Sequence, residues 1–458
     1  MEGYIDIWDY ALLPFYLVII YFIARFIKDK NINNHSEFKF YIPGLFASIF
    51  GSIFFCFIYN YYYGGGDTTG YYISAKALNN LMYKDFGSYF SILIGHLTPE
   101  NYSAFDSNTG YPWYYGDAQS FTVVRFTSVF LIFGLKKFLL TSIIVASITY
   151  WGLWKLFRIF ISVFKNINQK YIAIAVLFMP STVFWGSGIL KDSFTLSATA
   201  WIVYSFFNII IYKKKIIINI ILIVISVYVL ISIKPYIFFA LFAGLIIVLT
   251  YWQIKNIKNA VLRIIILPVV LLLVLTFGSY IVLTVSQSIG GSYSSIDKIV
   301  EKAYVTQDDL KKEYYGGNSF DIGSFDPTVQ GILSKFFPAV LAGIYRPFLW
   351  ESFHSPVTIL SGLETLFILL FSIKIGLKFF KVWIKESFKY SIKIILNNPV
   401  ILFSIIFSIS FAFIIGLTTA NFGALVRYRI PLMPFFVIVL FVLNNYYNTE
   451  LKKINEKF

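Results

Sequence analysis

Asp67 is the first residue whose type and setting suit chemistry. It stands in Gly64-Gly-Gly-Asp-Thr-Thr-Gly-Tyr-Tyr72, directly after a long apolar run. Glycines allow a tight turn and the close approach of a ligand to the backbone. A carboxylate at such a place can act as a general base or as a metal ligand. The alternative is a solvated loop aspartate that caps a helix over residues 71–82.

Three further charged residues occupy very short connections between apolar runs. Lys191 and Asp192 follow the sequence Trp185-Gly-Ser-Gly-Ile-Leu190, and Lys234 precedes Pro235. A lysine in such a connection can bind a phosphate group as a point charge. The alternative is that each lysine lies along the apolar surface and extends its ammonium group to the lipid headgroups.

A second group of charged residues lies towards the C-terminal end of the chain. Arg346 and Glu351 flank the sequence Pro-Phe-Leu-Trp, and Arg427 and Arg429 stand in Arg-Tyr-Arg-Ile-Pro-Leu-Met-Pro434. Arginine side chains bind phosphate and pyrophosphate through pairs of parallel hydrogen bonds. Anchoring to lipid phosphates is the alternative role for these arginines.

Long apolar runs must position these residues. The chain has 458 residues, of which 58% are hydrophobic and 13% are charged, whereas a soluble domain carries about 25% charged residues. A helix that spans a bilayer needs roughly 20 mostly apolar residues, and on that criterion the chain contains about eleven spans. They are Tyr10–Ile27, Ile42–Tyr61, Leu139–Phe157, Tyr171–Leu190, Phe194–Tyr212, Ile216–Ile233, Phe238–Ile254, Ile264–Thr284, Val357–Ile375, Val400–Leu417 and Leu432–Tyr446.

Lysine and arginine residues orient these spans. The net charge is +15, and the basic residues mostly lie in alternate loops of the map, at 25–30, 155–170, 213–215, 255–263, 374–393 and 452–457. Because cytoplasmic loops are enriched in basic residues, we expect the N-terminus outside and the C-terminus in the cytoplasm. The acidic segment Met1–Tyr10 predicts a permanent first anchor rather than a cleavable signal peptide. Topology explains the basic charge, so nucleic acid is not expected as a partner.

The sequence therefore predicts an all-α polytopic membrane bundle. We expect one multi-span membrane domain over residues 1–458, with two long extracytoplasmic loops at about 62–137 and 285–356. The apolar stretch Phe121–Leu135 predicts an amphipathic helix lying in the membrane interface, and an additional span is the alternative. The single cysteine, Cys56, forms no internal disulfide and provides no cysteine-rich metal site.

This topology places all eight charged candidates at one membrane face. One carboxylate that acts as a base, together with several cations, suits a lipid-linked phosphate or pyrophosphate donor. Aromatic residues are frequent near the same face, and most of them are expected to form the interfacial belt of a membrane protein. Stacking against sugar rings is the alternative for a subset of these aromatics, which are Trp113, Tyr114, Tyr115, Trp185 and Trp350.

At these residues the chain resembles the GT-C class of integral membrane glycosyltransferases and related bacterial polysaccharide polymerases. Asp67 matches the position of the acidic residue that those proteins carry in the first long outside loop. The segment Trp185–Asp192 resembles a short turn of some members, and Arg427-Tyr-Arg-Ile-Pro431 resembles an Arg-Tyr-Arg-x-Pro element before a late span. Arg346 and Glu351 match more weakly. Many members have a second neighbouring carboxylate, which Asp67 lacks, so a divalent metal is left in doubt.

The resemblance implies a membrane glycosyltransferase or repeat-unit polymerase of the bacterial inner membrane. Such an enzyme acts at the extracytoplasmic face on a polyprenyl-phosphate-linked or polyprenyl-pyrophosphate-linked saccharide and a glycan acceptor, in the synthesis of a surface polysaccharide. Asp67 would be the catalytic base, and the donor would be bound by Lys191, Asp192, Lys234, Arg346, Glu351, Arg427 and Arg429. The alternatives are a transporter or flippase for a lipid-linked saccharide and a non-catalytic membrane subunit of an envelope assembly.

Overall fold

The computed structural model describes residues 3–255 and 319–456, except 327 and 397, together with residues 301, 304, 305 and 309. Within this part of the chain the regular structure is helical, with nineteen α-helices that we number α1 to α19. An isolated β-bridge joins Ser319 and Asn421. The prediction of an all-α polytopic membrane bundle is confirmed.

Contacts between residues group the chain into two compact units, and the first comprises Met1–Ser162 and Val176–Pro235. The single membrane domain stays a prediction. The helices of unit 1 are α1 (Ile7–Asn31), α2 (Tyr41–Phe57), α3 (Asp67–Lys84), α4 (Phe86–Leu93), α5 (Pro99–Ser103), α6 (Ala118–Phe133), α7 (Phe138–Val163), α9 (Pro180–Trp185), α10 (Lys191–Phe207) and α11 (Ile216–Ile233).

Unit 2 comprises Val163–Ala175 and Tyr236–Phe458. Its helices are α8 (Gln169–Leu177), α12 (Pro235–Lys255), α13 (Val329–Ser334), α14 (Phe336–Tyr345), α15 (Pro356–Lys385), α16 (Phe388–Leu396), α17 (Pro399–Thr418), α18 (Phe422–Tyr428) and α19 (Met433–Asn455).

Seven helical segments among the described residues are long and apolar enough to cross a membrane. They are Ile7–Asn31, Ser36–Tyr62, Phe138–Val163, Lys191–Tyr212, Ile216–Ile233, Pro356–Lys385 and Pro399–Thr418. Each of them contains one of the predicted spans. Helices α18 and α19 together give an eighth candidate, which is bent by 71° at its break and which contains the predicted span Leu432–Tyr446.

The three remaining predicted spans have other outcomes. The run Tyr171–Leu190 is not one helix, because α8 ends at Leu177 and α9 begins at Pro180. Proline has no backbone N–H to donate within a helix and its ring clashes with the preceding turn, so a helix breaks before it. The predicted span Phe238–Ile254 lies within α12, whose apolar part is shorter, and Ile264–Thr284 lies outside the described residues.

The prediction of an amphipathic interfacial helix at residues 121–135 is wrong. The six consecutive residues from Ser120 to Arg125 at the start of α6 are all buried. Six consecutive helical residues cover every face of a helix, since one turn takes 3.6 residues. Helix α6 is therefore enclosed by unit 1 rather than lying with one face in water.

In unit 2, helices α14 and α17 touch at their backbones. A Cβ atom added to Gly416 would lie 1.9 Å from the carbonyl oxygen of Ala339, and one added to Gly343 would lie 2.3 Å from that of Ala412. Both distances are far below van der Waals contact. Small residues at helix contacts allow this close approach, which is common between membrane helices.

Gly416→Ala should destabilise unit 2, because the added methyl group forces α14 and α17 apart. Overpacking of this kind costs about 1–3 kcal/mol. The matched control is Gly376→Ala on α15, where an added Cβ meets no atom within 4 Å among the described residues. Thermal stability in detergent, followed by size-exclusion chromatography after heating, should fall for Gly416→Ala alone. Equal melting of the two variants would contradict this packing.

Candidate functional site

Asp67 is the first residue of α3, and a turn of three glycines places it there. Gly64, Gly65 and Gly66 have φ angles of 69°, 143° and 148°, a region that side chains other than glycine rarely occupy. The Gly66 N–H donates to Thr69 Oγ1 at 3.0 Å and closes the start of the helix. The positive end of the α3 dipole favours the negative charge of the half-buried Asp67 carboxylate.

Asp117 links the start of α6 to the start of α10 through non-covalent contacts. Its carboxylate caps α6 by accepting hydrogen bonds from the backbone N–H groups of Gln119 and Ser120, and it lies 3.6 Å from Lys191 Nζ. Lys191 begins α10, where the helix dipole disfavours a cation, so the carboxylate of Asp117 offsets that repulsion. Partial burial raises the pKa of Asp117, but the Ser120 hydrogen bonds and the Lys191 charge outweigh burial and lower the pKa below its usual value.

Asp192 and Lys234 form a buried ion pair. Lys234 Nζ lies 2.5 Å from Asp192 Oδ1, and the two side chains are 7% and 0% exposed. Lys234 follows the last residue of α11, where the negative end of the helix dipole favours a cation. The pair therefore holds the start of α10 against the end of α11. Binding of a donor by Asp192 and Lys234 stays a prediction.

The N-terminal ends of α3, α6 and α10 come together through a chain of contacts in unit 1. A Cβ added to Gly70, one turn beyond Asp67, would lie 2.8 Å from the Tyr114 ring. Tyr114 precedes by three residues the Asp117 that pairs with Lys191. We call Asp67, Asp117 and Lys191 the first cluster. It combines two carboxylates and one ammonium group, a set suited to proton transfer and phosphate binding.

Unit 2 contains a second cluster, which we define as Arg346, Glu351, Glu364 and Arg429. Arg346 Nε donates to both carboxylate oxygens of Glu351 at 3.1 Å. The Arg346 guanidinium also lies 4.9 Å from the centre of the Phe320 ring and 5.5 Å from that of Phe422. Arg346 is thus held by one carboxylate and two aromatic faces.

Arg429 lies in the break between α18 and α19, and its side chain is fully buried. One terminal nitrogen, NH1, donates to the Arg346 carbonyl oxygen at 2.7 Å. Within the described part of the chain, Nε and the other terminal nitrogen, NH2, have no hydrogen-bond partner. Glu364 on α15 attracts the Arg429 charge electrostatically. A buried guanidinium with unsatisfied N–H groups is costly, and an anion with two oxygens would satisfy them.

The remaining predicted residue, Arg427, is half-buried in the last turn of α18. Its guanidinium lies 5.9 Å from the centre of the Tyr428 ring. The structure thus pairs Lys191 with Asp117, Asp192 with Lys234, and Arg346 with Glu351 and Arg429. Asp67 lies on the neighbouring helix α3, which packs against Tyr114.

Sequence analysis missed Asp117 and Glu364. Asp117 directly precedes an apolar run, with Ser120 three residues later. An aspartate just before such a run is a recognisable helix N-cap in a sequence. Glu364 is a carboxylate inside the predicted span Val357–Ile375, and charges inside spans are functional candidates by default. Across the described residues, no group of three or more histidine, cysteine, aspartate or glutamate side chains is placed to hold a metal ion.

Comparison of this chain with protein-family models, with curated proteins and with solved structures finds no match. The resemblance drawn from short motifs therefore stays an expectation, and function has to be argued from the two clusters.

Removal of one partner of the buried pair should destabilise the protein strongly. Lys234→Met leaves the fully buried Asp192 carboxylate uncompensated, which costs about 3–5 kcal/mol. The double variant Lys234→Met, Asp192→Leu should recover much of this loss, because no charge remains buried. The control is Lys453→Met, since Lys453 is 60% exposed in its pair with Glu450. Thermal melting in detergent measures all three variants, and a Lys234→Met protein that melts like Lys453→Met would show that the pair is not structural.

Asp117→Asn tests the charge of the first cluster, because asparagine caps a helix as well as aspartate does. The pKa of Asp117 is lower in the folded protein than in the unfolded chain, where aspartate titrates near about 4. The ionised form therefore stabilises the fold above that pH, and the stabilisation is lost as the pH falls through the folded-state pKa. Since the pair is half exposed, we expect Asp117→Asn to cost only about 0.2–1 kcal/mol at neutral pH.

The measurement is the melting temperature of both proteins from neutral pH down to about pH 3. The difference between them should shrink as the pH falls, and it should be smaller throughout in a Lys191→Met background. A difference that is independent of pH would show that the Asp117 charge does not contribute.

Proposed function

We propose that this chain is a membrane glycosyltransferase or repeat-unit polymerase of the bacterial inner membrane. It acts at the extracytoplasmic face on a saccharide linked to polyprenyl phosphate or pyrophosphate, and the product is a surface polysaccharide. The helical membrane fold supports the lipid environment of such a substrate. Its donor and acceptor, its membrane and its active face belong to the proposal.

The observation that carries the proposal is the state of Arg429. Its guanidinium is fully buried in unit 2, and two of its nitrogens lack a hydrogen-bond partner among the described residues. An unsatisfied buried donor costs about 1–3 kcal/mol, and more when it is charged. A phosphate group supplies two oxygens at the spacing of adjacent guanidinium N–H groups. A phosphate-linked lipid is therefore a ligand whose chemistry removes this cost.

In this proposal Asp67 is the base that activates the hydroxyl group of the glycan acceptor. The acceptor hydroxyl attacks the anomeric carbon of the donor sugar, a new carbon–oxygen bond forms, and the bond from that carbon to the phosphate oxygen breaks. The Asp67 carboxylate accepts the hydroxyl proton, and the polyprenyl phosphate or pyrophosphate leaves with the bonding electron pair.

The other predicted donor-binding residues have supporting roles in the proposal. Lys191 and Arg346 already have carboxylate partners, Asp117 and Glu351. A cation with a fixed partner keeps its position when the ligand leaves, so these pairs pre-organise the positive charge.

A transporter or flippase for the same lipid-linked saccharide is the second candidate, and one observation favours it. Helices α18 and α19 are bent by 71° at a break that contains the buried Arg429. Transporters build their binding sites from such discontinuous helices and from polar groups within the membrane.

Arg429→Lys should abolish surface polysaccharide in a strain that lacks the native gene. Lysine keeps the charge but cannot form two parallel hydrogen bonds to phosphate, and loss of a hydrogen bond to a charged group costs about 1.5–3 kcal/mol of binding. Asp67→Asn should have the same phenotype. The measurement is the polysaccharide profile on gels, with membrane levels of each variant checked by immunoblotting.

The matched control variants are Arg25→Lys and Asp29→Asn, which alter an exposed ion pair. Both should restore wild-type polysaccharide. If Arg429→Lys and Asp67→Asn, at normal membrane levels, also restored it fully, the enzymatic proposal would be wrong.

Proteoliposomes containing the purified wild-type protein distinguish the two candidates. A transferase forms new glycosidic bonds from extracted lipid-linked saccharide, and Asp67→Asn stops their formation. A transporter moves the saccharide across the bilayer without lengthening it, and that result would favour the second candidate.

A further inference from the structure

An open groove of about 650 Å³ lies in unit 1, outside the charged clusters. Residues just before and on α5 line one side, and the segment that leads into α6 lines the other. Its lining includes Pro99, Tyr102, Pro112, Trp113, Tyr115 and Gly116. The volume lies within the range of about 300–1,000 Å³ that is typical of small-molecule sites.

Hydrogen bonds hold the aromatic walls in place. The Trp113 backbone N–H donates to Ser74 Oγ on α3 at 2.9 Å, and the Tyr115 hydroxyl donates to the Thr98 carbonyl oxygen at 2.8 Å. The rings of Tyr102 and Tyr115 lie 4.9 Å apart, tilted by 55°. A ligand would therefore meet a backbone at Trp113 and a Tyr102–Tyr115 ring pair that are already held in place, which lowers the entropy cost of binding.

The two outer rings of the groove are exposed. Trp113 is 63% exposed and Tyr102 is 39% exposed. An exposed aromatic face beside polar groups suits a saccharide, because one face of a pyranose ring presents C–H groups that pack on an aromatic ring while its hydroxyl groups stay hydrated. Exposed glycine backbone at Gly116 offers polar groups next to these rings.

An interfacial belt explains this arrangement less well. Belt aromatics stand where spanning helices enter the headgroup layer, whereas Trp113 and Tyr115 lie on a turn between α5 and α6. They form a concave surface rather than a ring of separate side chains.

The groove lies next to the first cluster along the chain. Ala118 lines the groove, and the preceding residue, Asp117, pairs with Lys191. Tyr114, between the lining residues Trp113 and Tyr115, packs against Gly70 one turn beyond Asp67. Asp67, to which we assign the acceptor proton, therefore lies on the helix that packs against the segment forming the groove.

We infer that this groove binds a saccharide chain, the glycan acceptor, through stacking on Trp113 and Tyr102. The identification of the occupant as the acceptor rests on the proposed function, whereas saccharide binding itself is testable separately.

The test measures binding of a soluble saccharide to the full-length protein in lipid nanodiscs by saturation-transfer NMR. The probe is the host's own surface polysaccharide, released from its lipid by mild acid hydrolysis. Trp113→Ala should weaken binding roughly tenfold, the usual scale for loss of one aromatic anchor, and Trp113→Phe should keep most of it. The matched control is Trp8→Ala, which removes a tryptophan that is 60% exposed at the start of α1, and it should bind like wild type.

The outcomes separate the groove from the proposed function. Saccharide binding that depends on Trp113 supports the groove even if Arg429→Lys leaves polysaccharide synthesis intact, in which case the proposed function alone fails. Absence of saccharide binding by the wild type overturns the inference. Equal binding by wild type and a correctly inserted Trp113→Ala protein also overturns it, whatever the phenotype of Arg429→Lys.

Discussion

The cost of burying charge among apolar helices is the constraint on which the arrangement of this protein depends. A charge removed from water needs an opposite charge or a full set of hydrogen bonds. Asp192 and Lys234 satisfy each other between α10 and α11, and Arg346 is held by Glu351. Arg429 meets this rule only in part within the described residues, because Glu364 attracts its charge but two of its N–H donors lack acceptors. An anionic ligand would supply those acceptors, which is why Arg429 carries the functional proposal.

The same constraint explains where the helices break. Backbone that leaves the helical path exposes N–H and C=O groups, and within a membrane protein these groups need partners from protein or from a cavity. Three breaks among the described helices coincide with charged residues. The glycine turn precedes Asp67, the connection after α9 leads to Lys191, and the bend between α18 and α19 contains Arg429. Irregular backbone and costly side chains are thus concentrated at the same places, which is typical of binding sites in membrane proteins.

Much of the fold could be predicted from the sequence, because a membrane imposes a local rule. A run of about 20 apolar residues is read from neighbouring positions alone, and it locates helices such as α1 and α17. Pro180 is a sequence signal for a helix break, since proline interrupts a helix. The prediction missed the break because the residues on both sides of Pro180 are apolar and were taken as one span. The burial of α6 could not be predicted from neighbouring residues, because Arg125 is buried through its hydrogen bond to the distant Ile92 carbonyl oxygen.

The candidate site, too, could be predicted only where its residues are close in sequence. Arg346 and Glu351 are five residues apart and were grouped, whereas Asp117 meets Lys191 across 74 residues of chain, and no local pattern contains that pairing.

The central claim is that Arg429 binds a lipid-linked phosphate, and native mass spectrometry tests it most directly. The protein would be extracted from its host's membranes in a mild detergent, and the lipids that remain bound would be identified by mass. We expect a polyprenyl phosphate or pyrophosphate species on the wild type and on Arg25→Lys, and a clear loss of that species from Arg429→Lys. Bound lipids that are ordinary phospholipids alone, or equal retention of the polyprenyl species by Arg429→Lys, would contradict the claim.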